Sequence, residues 1–148
     1  MNRQKCILVT EDNQSDFLLL RRCFEKAGLT HKLVHAGNGK EAWDYLVGEP
    51  PFSDRNQHPF PDLLLLDLRM PGLDGFDLLR LLQSHRELSA LPVVILSASL
   101  VESYMQTAKR LGAREYLLKP MDPNEYTHMV LGLQERWLED IVPGVPSA

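Results

Sequence analysis

The stretch DLLLLDLRMPGLDG, Asp62 to Gly75, decides how this chain is read. Leu63 to Leu66 are consecutive apolar residues, the pattern of a strand buried on both faces inside a parallel sheet. The run then ends on a carboxylate, Asp67, and a loop follows with Met70, Pro71 and two glycines. A single acid at a strand end is ordinarily a solvated loop residue or a helix cap. What the other strands deliver to the same end decides between that reading and a chemical one.

Outward from this stretch, short apolar runs alternate with amphipathic segments, the signature of β-α units building a parallel sheet covered by helices. The expected strands are Lys5–Thr10, Lys32–Ala36, Asp62–Asp67, Pro92–Ser97 and Arg114–Leu118. Capping patterns mark the helices. Asn38 precedes Glu41 by three residues and Ser99 precedes Glu102 by three, as in a capping box. Asp122 is followed by Pro123 and Glu125. Phe17, Leu20 and Phe24 form the buried stripe of a helix between Ser15 and Ala27, which Gly28 ends. A helix from about Gly75 to His85 completes five β-α units, and Tyr126, Met129, Val130, Leu133 and Trp137 stripe the last helix. Gly48 to Pro61 holds four prolines and reads as an ordered surface insertion.

With 148 residues the chain makes a single domain, with a core of about 5–140, the insertion at 48–61 and a tail at 141–148. A net charge of -4 gives no basic footprint for nucleic acid. No apolar run approaches the ~20 residues that span a bilayer, and the start lacks a signal peptide, so a cytoplasmic protein is expected. Cys6 and Cys23 read as buried reduced thiols.

In an open parallel sheet, ligands bind beyond the carboxyl ends of the strands, where the strand order reverses. The first strand ends in Glu11 and Asp12, the third in Asp67, the fourth in Ser97 and the fifth in Lys119. If the first and third strands are neighbours, three carboxylates, a hydroxyl and an ammonium converge. Carboxylates so placed repel one another unless protons or a cation intervene, and hard oxygen ligands suit Mg²⁺. A metal and a lysine around a carboxylate are what phosphoryl transfer requires, with Asp67 as the nucleophile.

The residues EDN at 11–13, LLLLDLRMPGLDG at 63–75, SAS at 97–99 and YLLKP at 116–120 resemble, in order and spacing, the receiver domain of two-component response regulators. That resemblance implies a CheY-like fold: α/β, a doubly wound five-stranded parallel sheet of order 2-1-3-4-5 with five helices. It implies a phosphorelay switch, not an enzyme that turns over a separate substrate. Asp67 would accept a phosphoryl group from a histidine kinase. Mg²⁺ would be held by Asp12, by Glu11 through water, by Asp67 and by the backbone carbonyl of Arg69. Ser97 and Lys119 would bind the phosphoryl group, and Tyr116 would be the aromatic switch. The Lys119–Pro120 bond would be cis, and Gly75 would sit where a side chain crowds the turn. The Arg69 side chain would shield the phosphoryl group, contact a partner, or be simply solvated; Ser99 holds the equivalent position after Ser97.

Gly48–Pro61 and the final ERWLED bring the narrower likeness, to small receivers that partner phytochrome-type histidine kinases. Trp137 reads as a core anchor or as part of a homodimer face. His31 and His35 read as surface or edge-strand residues with no third metal ligand. With one helix and a tail after Lys119, output is expected as binding to a downstream protein or to a second copy. The alternative function is a phosphorylation-independent docking module. A haloacid-dehalogenase-type phosphatase would need an acid where Arg69 stands. A flavodoxin-like flavin site would need a phosphate-cradling loop where TEDN stands, so no organic cofactor is expected.

Overall fold

The computed structural model describes residues 3–139, so the tail at 141–148 lies outside the described residues. Five strands, β1 (Cys6–Thr10), β2 (Lys32–Ala36), β3 (Leu63–Leu66), β4 (Val93–Ser97) and β5 (Glu115–Leu118), alternate with five helices. The helices are α1 (Gln14–Lys26), α2 (Gly39–Val47), α3 (Gly75–Gln83), α4 (Glu102–Arg110) and α5 (Pro123–Leu133). The strands pair in parallel in the order β2-β1-β3-β4-β5, as expected.

β1, β3 and β4 are buried at every residue, which is why their sequences run apolar without alternation. On one face Leu8, Leu64, Leu66, Val93 and Ile95 pack with Ala42, Leu46, Leu78, Leu82 and Ala108 from α2, α3 and α4. On the other, Ile7, Val9, Leu63, Leu65 and Val94 pack with Phe17, Leu20 and Phe24 of α1 and Tyr126, Val130 and Leu133 of α5. Cys6 and Cys23 are buried free thiols.

Side-chain oxygens of Asn13, Asn38, Asp74 and Asp122 accept backbone N–H groups at the starts of α1, α2, α3 and α5. α4 corrects the sequence expectation, because it begins at Glu102 with Val101 as an N-cap that makes no side-chain bond. Ser99 is held in the preceding loop, its N–H donating to Ser97 Oγ (3.1 Å) and its carbonyl accepting the Tyr116 hydroxyl (2.5 Å). The Ser99 hydroxyl is itself engaged in that loop, its Oγ accepting the Val101 N–H (3.3 Å), so it does not cap α4. α5 continues into a π turn, Gln134–Leu138, where Trp137 Nε1 donates to Glu115 Oε1 (2.8 Å) and the ring packs against the α1/α5 core.

The 48–61 connection is anchored by Arg55. Its guanidinium donates to the carbonyls of Tyr45 (2.8 Å) and Leu46 (2.8 Å) at the end of α2 and of His58 (3.1 Å) within the connection, tying the two together. Tyr45 in turn donates to the Pro59 carbonyl (2.7 Å).

Candidate functional site

Strand order reverses between β1 and β3, and the residues just beyond their carboxyl ends define the site. Glu11 N–H donates to the Ala36 carbonyl (3.0 Å) and Asp67 N–H to the Thr10 carbonyl (3.0 Å). Each acid therefore sits on a sheet-bonded peptide, rigid at the base and free to present its side chain. Lys119 is mounted the same way at the end of β5, its N–H donating to the Ser97 carbonyl (2.7 Å).

The five expected side chains meet only in part. One carboxylate oxygen each from Glu11, Asp12 and Asp67 lies within 4.8 Å of the others. Lys119 Nζ bonds Glu11 Oε2 (2.6 Å) and Asp67 Oδ2 (3.1 Å). The other Asp67 oxygen accepts the Arg69 N–H (3.1 Å), so both oxygens are held and distinguishable. Ser97 is buried, its Oγ accepting from Ser99 N–H, while Tyr116 is held apart on the Ser99 carbonyl. The Arg69 side chain is exposed and its guanidinium lies 5.9 Å from the Tyr104 ring centre.

Burial raises the Glu11 carboxyl to about 7, and the Asp67 charge pushes the same way against the favourable pull of Lys119. Burial pulls the Lys119 ammonium down, but its bond to Glu11 and the charge of Asp67 outweigh this and leave it raised. One ammonium does not satisfy this much buried carboxylate. Three hard oxygen donors with one carboxyl still drawing a proton fit a divalent cation such as Mg²⁺.

The Lys119–Pro120 bond is a second correction, because it is not cis; the cis peptide among the described residues is Pro50–Pro51. Lys119 already bonds Ser97 through its N–H and reaches the carboxylates through Nζ with a trans amide, the isomer preferred by ~0.5–1 kcal/mol. Gly75 is where a side chain would crowd the turn, as expected. A Cβ there would lie 2.7 Å from the Asp67 carbonyl oxygen and 2.7 Å from Leu68 Cα.

Three residues of the site surroundings escape the sequence reading. Asp16 Oδ2 lies 3.2 Å from Lys119 Nζ; it falls three residues after the Asn13 cap, a spacing that was available as a signal. His35 stacks on Phe17 (centroids 4.3 Å apart) and contacts the Glu11 carbonyl through Nε2 (2.6 Å), which no local pattern announces. A Cβ at Gly39 would meet the Leu73 carbonyl, so α2 and the loop after β3 touch backbone to backbone. His31 bonds Lys5 N–H and Gln134 at the sheet's far end, away from any metal-ligand cluster among the described residues.

A doubly wound parallel sheet with acids and a lysine at its switch point defines a protein of the CheY-like class. The response regulator receiver domain profile matches residues 7–131, and the chain belongs to that family. Response regulator Rcp1 of Synechocystis is 29% identical over 147 residues, covering 99% of this chain and 97% of Rcp1. The phosphorylated cyanobacterial phytochrome response regulator RcpA superposes with a TM-score of 0.85 at 31% identity, over 96% of this chain and 100% of RcpA. Response regulator RPA3017, in red light signaling of R. palustris, gives a TM-score of 0.87 at 32% identity, over 95% and 99% of the two chains. Receivers of this family serve two-component systems as switches partnered with histidine kinases. Among the described residues, no helix is long and apolar enough to cross a membrane.

Proposed function

We propose that this protein is a stand-alone, cytoplasmic phosphorelay switch in which Asp67 accepts a phosphoryl group from a histidine kinase. The observation that carries the reading is the environment of Asp67, a buried carboxylate at a strand tip with one oxygen on Arg69 N–H and the other on Lys119. An Asp67 oxygen attacks phosphorus, the P–N bond to the donor imidazole breaks, and the imidazole leaves with the electron pair and takes up a proton. Lys119 balances charge on the phosphoryl oxygens and the Ser97 hydroxyl donates to one of them. Glu11, Asp12, Asp67 and the Arg69 carbonyl would hold Mg²⁺, which when bound supplies further neutralisation of the phosphoryl charge.

Movement of Ser97 toward the new group takes with it the Ser99 loop, and the Tyr116 hydroxyl loses its partner. The signal is then a change in what the α4–β5–α5 face binds, a downstream protein or a second copy of this chain. A phytochrome-type kinase as donor is supported by the likeness, over nearly the whole chain, to the two light-signalling regulators.

Acetyl phosphate with intact-mass detection tests the chemistry. A Mg²⁺-dependent gain of one phosphoryl group that Asp67→Asn abolishes is expected. No gain by a folded protein that binds Mg²⁺ would leave a docking module that needs no phosphate.

A further inference from the structure

Lys119 has three N–H donors, and three carboxylates hold them: Glu11 at 2.6 Å, Asp67 at 3.1 Å and Asp16 at 3.2 Å. Glu11 and Asp67 belong to the site described above. Asp16 does not, because it sits in the first turn of α1, outside the cluster of potential metal ligands, and its side chain is 38% exposed. It bonds the same nitrogen from the solvent side. Its backbone N–H donates to the Asn13 side chain (3.1 Å), which sets the first turn of α1 from which the carboxylate reaches Lys119.

An arriving phosphoryl group needs the Lys119 ammonium. Glu11 and Asp67 surround the place where that group must sit, so their bonds to Lys119 are compatible with service to it. The bond to Asp16 draws the ammonium toward α1 instead, and the Asp16 charge repels a second anion. We propose that Asp16 is a positioning residue for Lys119, a parking partner that holds the ammonium while Asp67 is free and competes with the phosphoryl group for it. The inference rests on the phosphoswitch reading and assigns that switch a set point, since the strength of one half-exposed ion pair biases the occupied against the empty state. A pair with its acid at the surface contributes only modestly, so its removal should favour the occupied state by about two- to fivefold.

The test uses beryllofluoride with Mg²⁺ as a stable stand-in for the phosphoryl group, titrated by NMR into the full chain. Asp16→Asn is expected to bind it two- to fivefold more tightly than wild type. In a Lys119→Gln background the same substitution is expected to do nothing, because its effect runs through the lysine. The Lys119 ¹⁵Nζ resonance of the free protein should also move with Asp16→Asn and stay put with Asp77→Asn, a distant charge removal on α3. An unchanged affinity, an equal gain with and without Lys119, or an unmoved ¹⁵Nζ resonance would each overturn the proposal. Should Lys119→Gln bind no beryllofluoride, the ¹⁵Nζ comparison decides by itself. Wild type that binds none and takes up no phosphoryl group would instead remove the phosphoswitch reading, a result read separately from any effect of Asp16.

Discussion

At the scale of single residues the site is a negotiation over charge. Glu11 is buried among like charges, and its carboxyl holds a proton up to about pH 7 where an unfolded glutamate lets go near 4.5. The folded state therefore binds the proton more tightly. The contribution of Glu11 is fully favourable below about pH 4.5 and is lost as pH rises through about 7. In metal-free buffer, denaturant midpoints should fall across that window, and Glu11→Gln should flatten the slope. Mg²⁺ should restore stability at the upper end, since it replaces the missing countercharge. Gly75 shows the opposite kind of constraint, a steric one. Gly75→Ala pushes a methyl onto backbone atoms of Asp67 and Leu68, and urea unfolding should report a loss of about 1–3 kcal/mol. Much of the site was legible because Glu11, Asp12 and Asp67 follow doubly buried strands and Lys119 follows the edge strand β5, all at the same carboxyl edge of the sheet. For Asp16 the Asn13 cap spacing marks only its place in the first turn of α1; its contact with Lys119 depends on how that turn lies against the end of β5.

Elements repeat the lesson at larger scale. Every strand lies within one residue of its expected bounds. β1, β3 and β4, buried on both faces, write themselves as unbroken apolar runs. α4 broke the rule because Ser99 is held in the preceding loop by Ser97, Val101 and Tyr116, which leaves Val101 at the N-cap. Its uncapped first turn is an opportunity. Val101→Ser places an acceptor at the N-cap and removes an exposed apolar side chain (45% exposed), so thermal unfolding should show a gain of about 0.5–1 kcal/mol. The π turn after α5 was equally hidden, fixed as it is by His31 on Gln134 and by Glu115 on Arg136 and Trp137. In the 48–61 connection the anchor is a single guanidinium. Arg55→Met strips three carbonyls of a charged donor and should cost about 1.5–3 kcal/mol. Hydrogen exchange should quicken across 49–60, while phosphoryl uptake at the opposite end of the sheet stays unchanged.

For the whole molecule, what matters is that two packed cores hold the sheet rigid while its carboxyl edge carries the loops. A change at Asp67 has little to push against within β3, which is fully buried, so it must leave through the loops beyond the strand ends. The route with visible parts runs from Ser97 through the Ser99 peptide to the Tyr116 hydroxyl, joining the ends of β4 and β5 beside α4. In the free protein that hydroxyl bond pins the loop, and the Tyr116 ring lies half-buried against the α2–α4 side of the core. Tyr116→Phe keeps the ring and removes the pin. Exchange of amides 98–101 should then quicken several-fold in the unphosphorylated protein. Phosphorylation should produce a smaller further change there than in wild type, since one restraint it releases is already gone. If Tyr116→Phe left both states as in wild type, the hydroxyl would carry none of the coupling, and the signal would have to leave the site through packing of the Arg69–Tyr104 surface on the other side of α4.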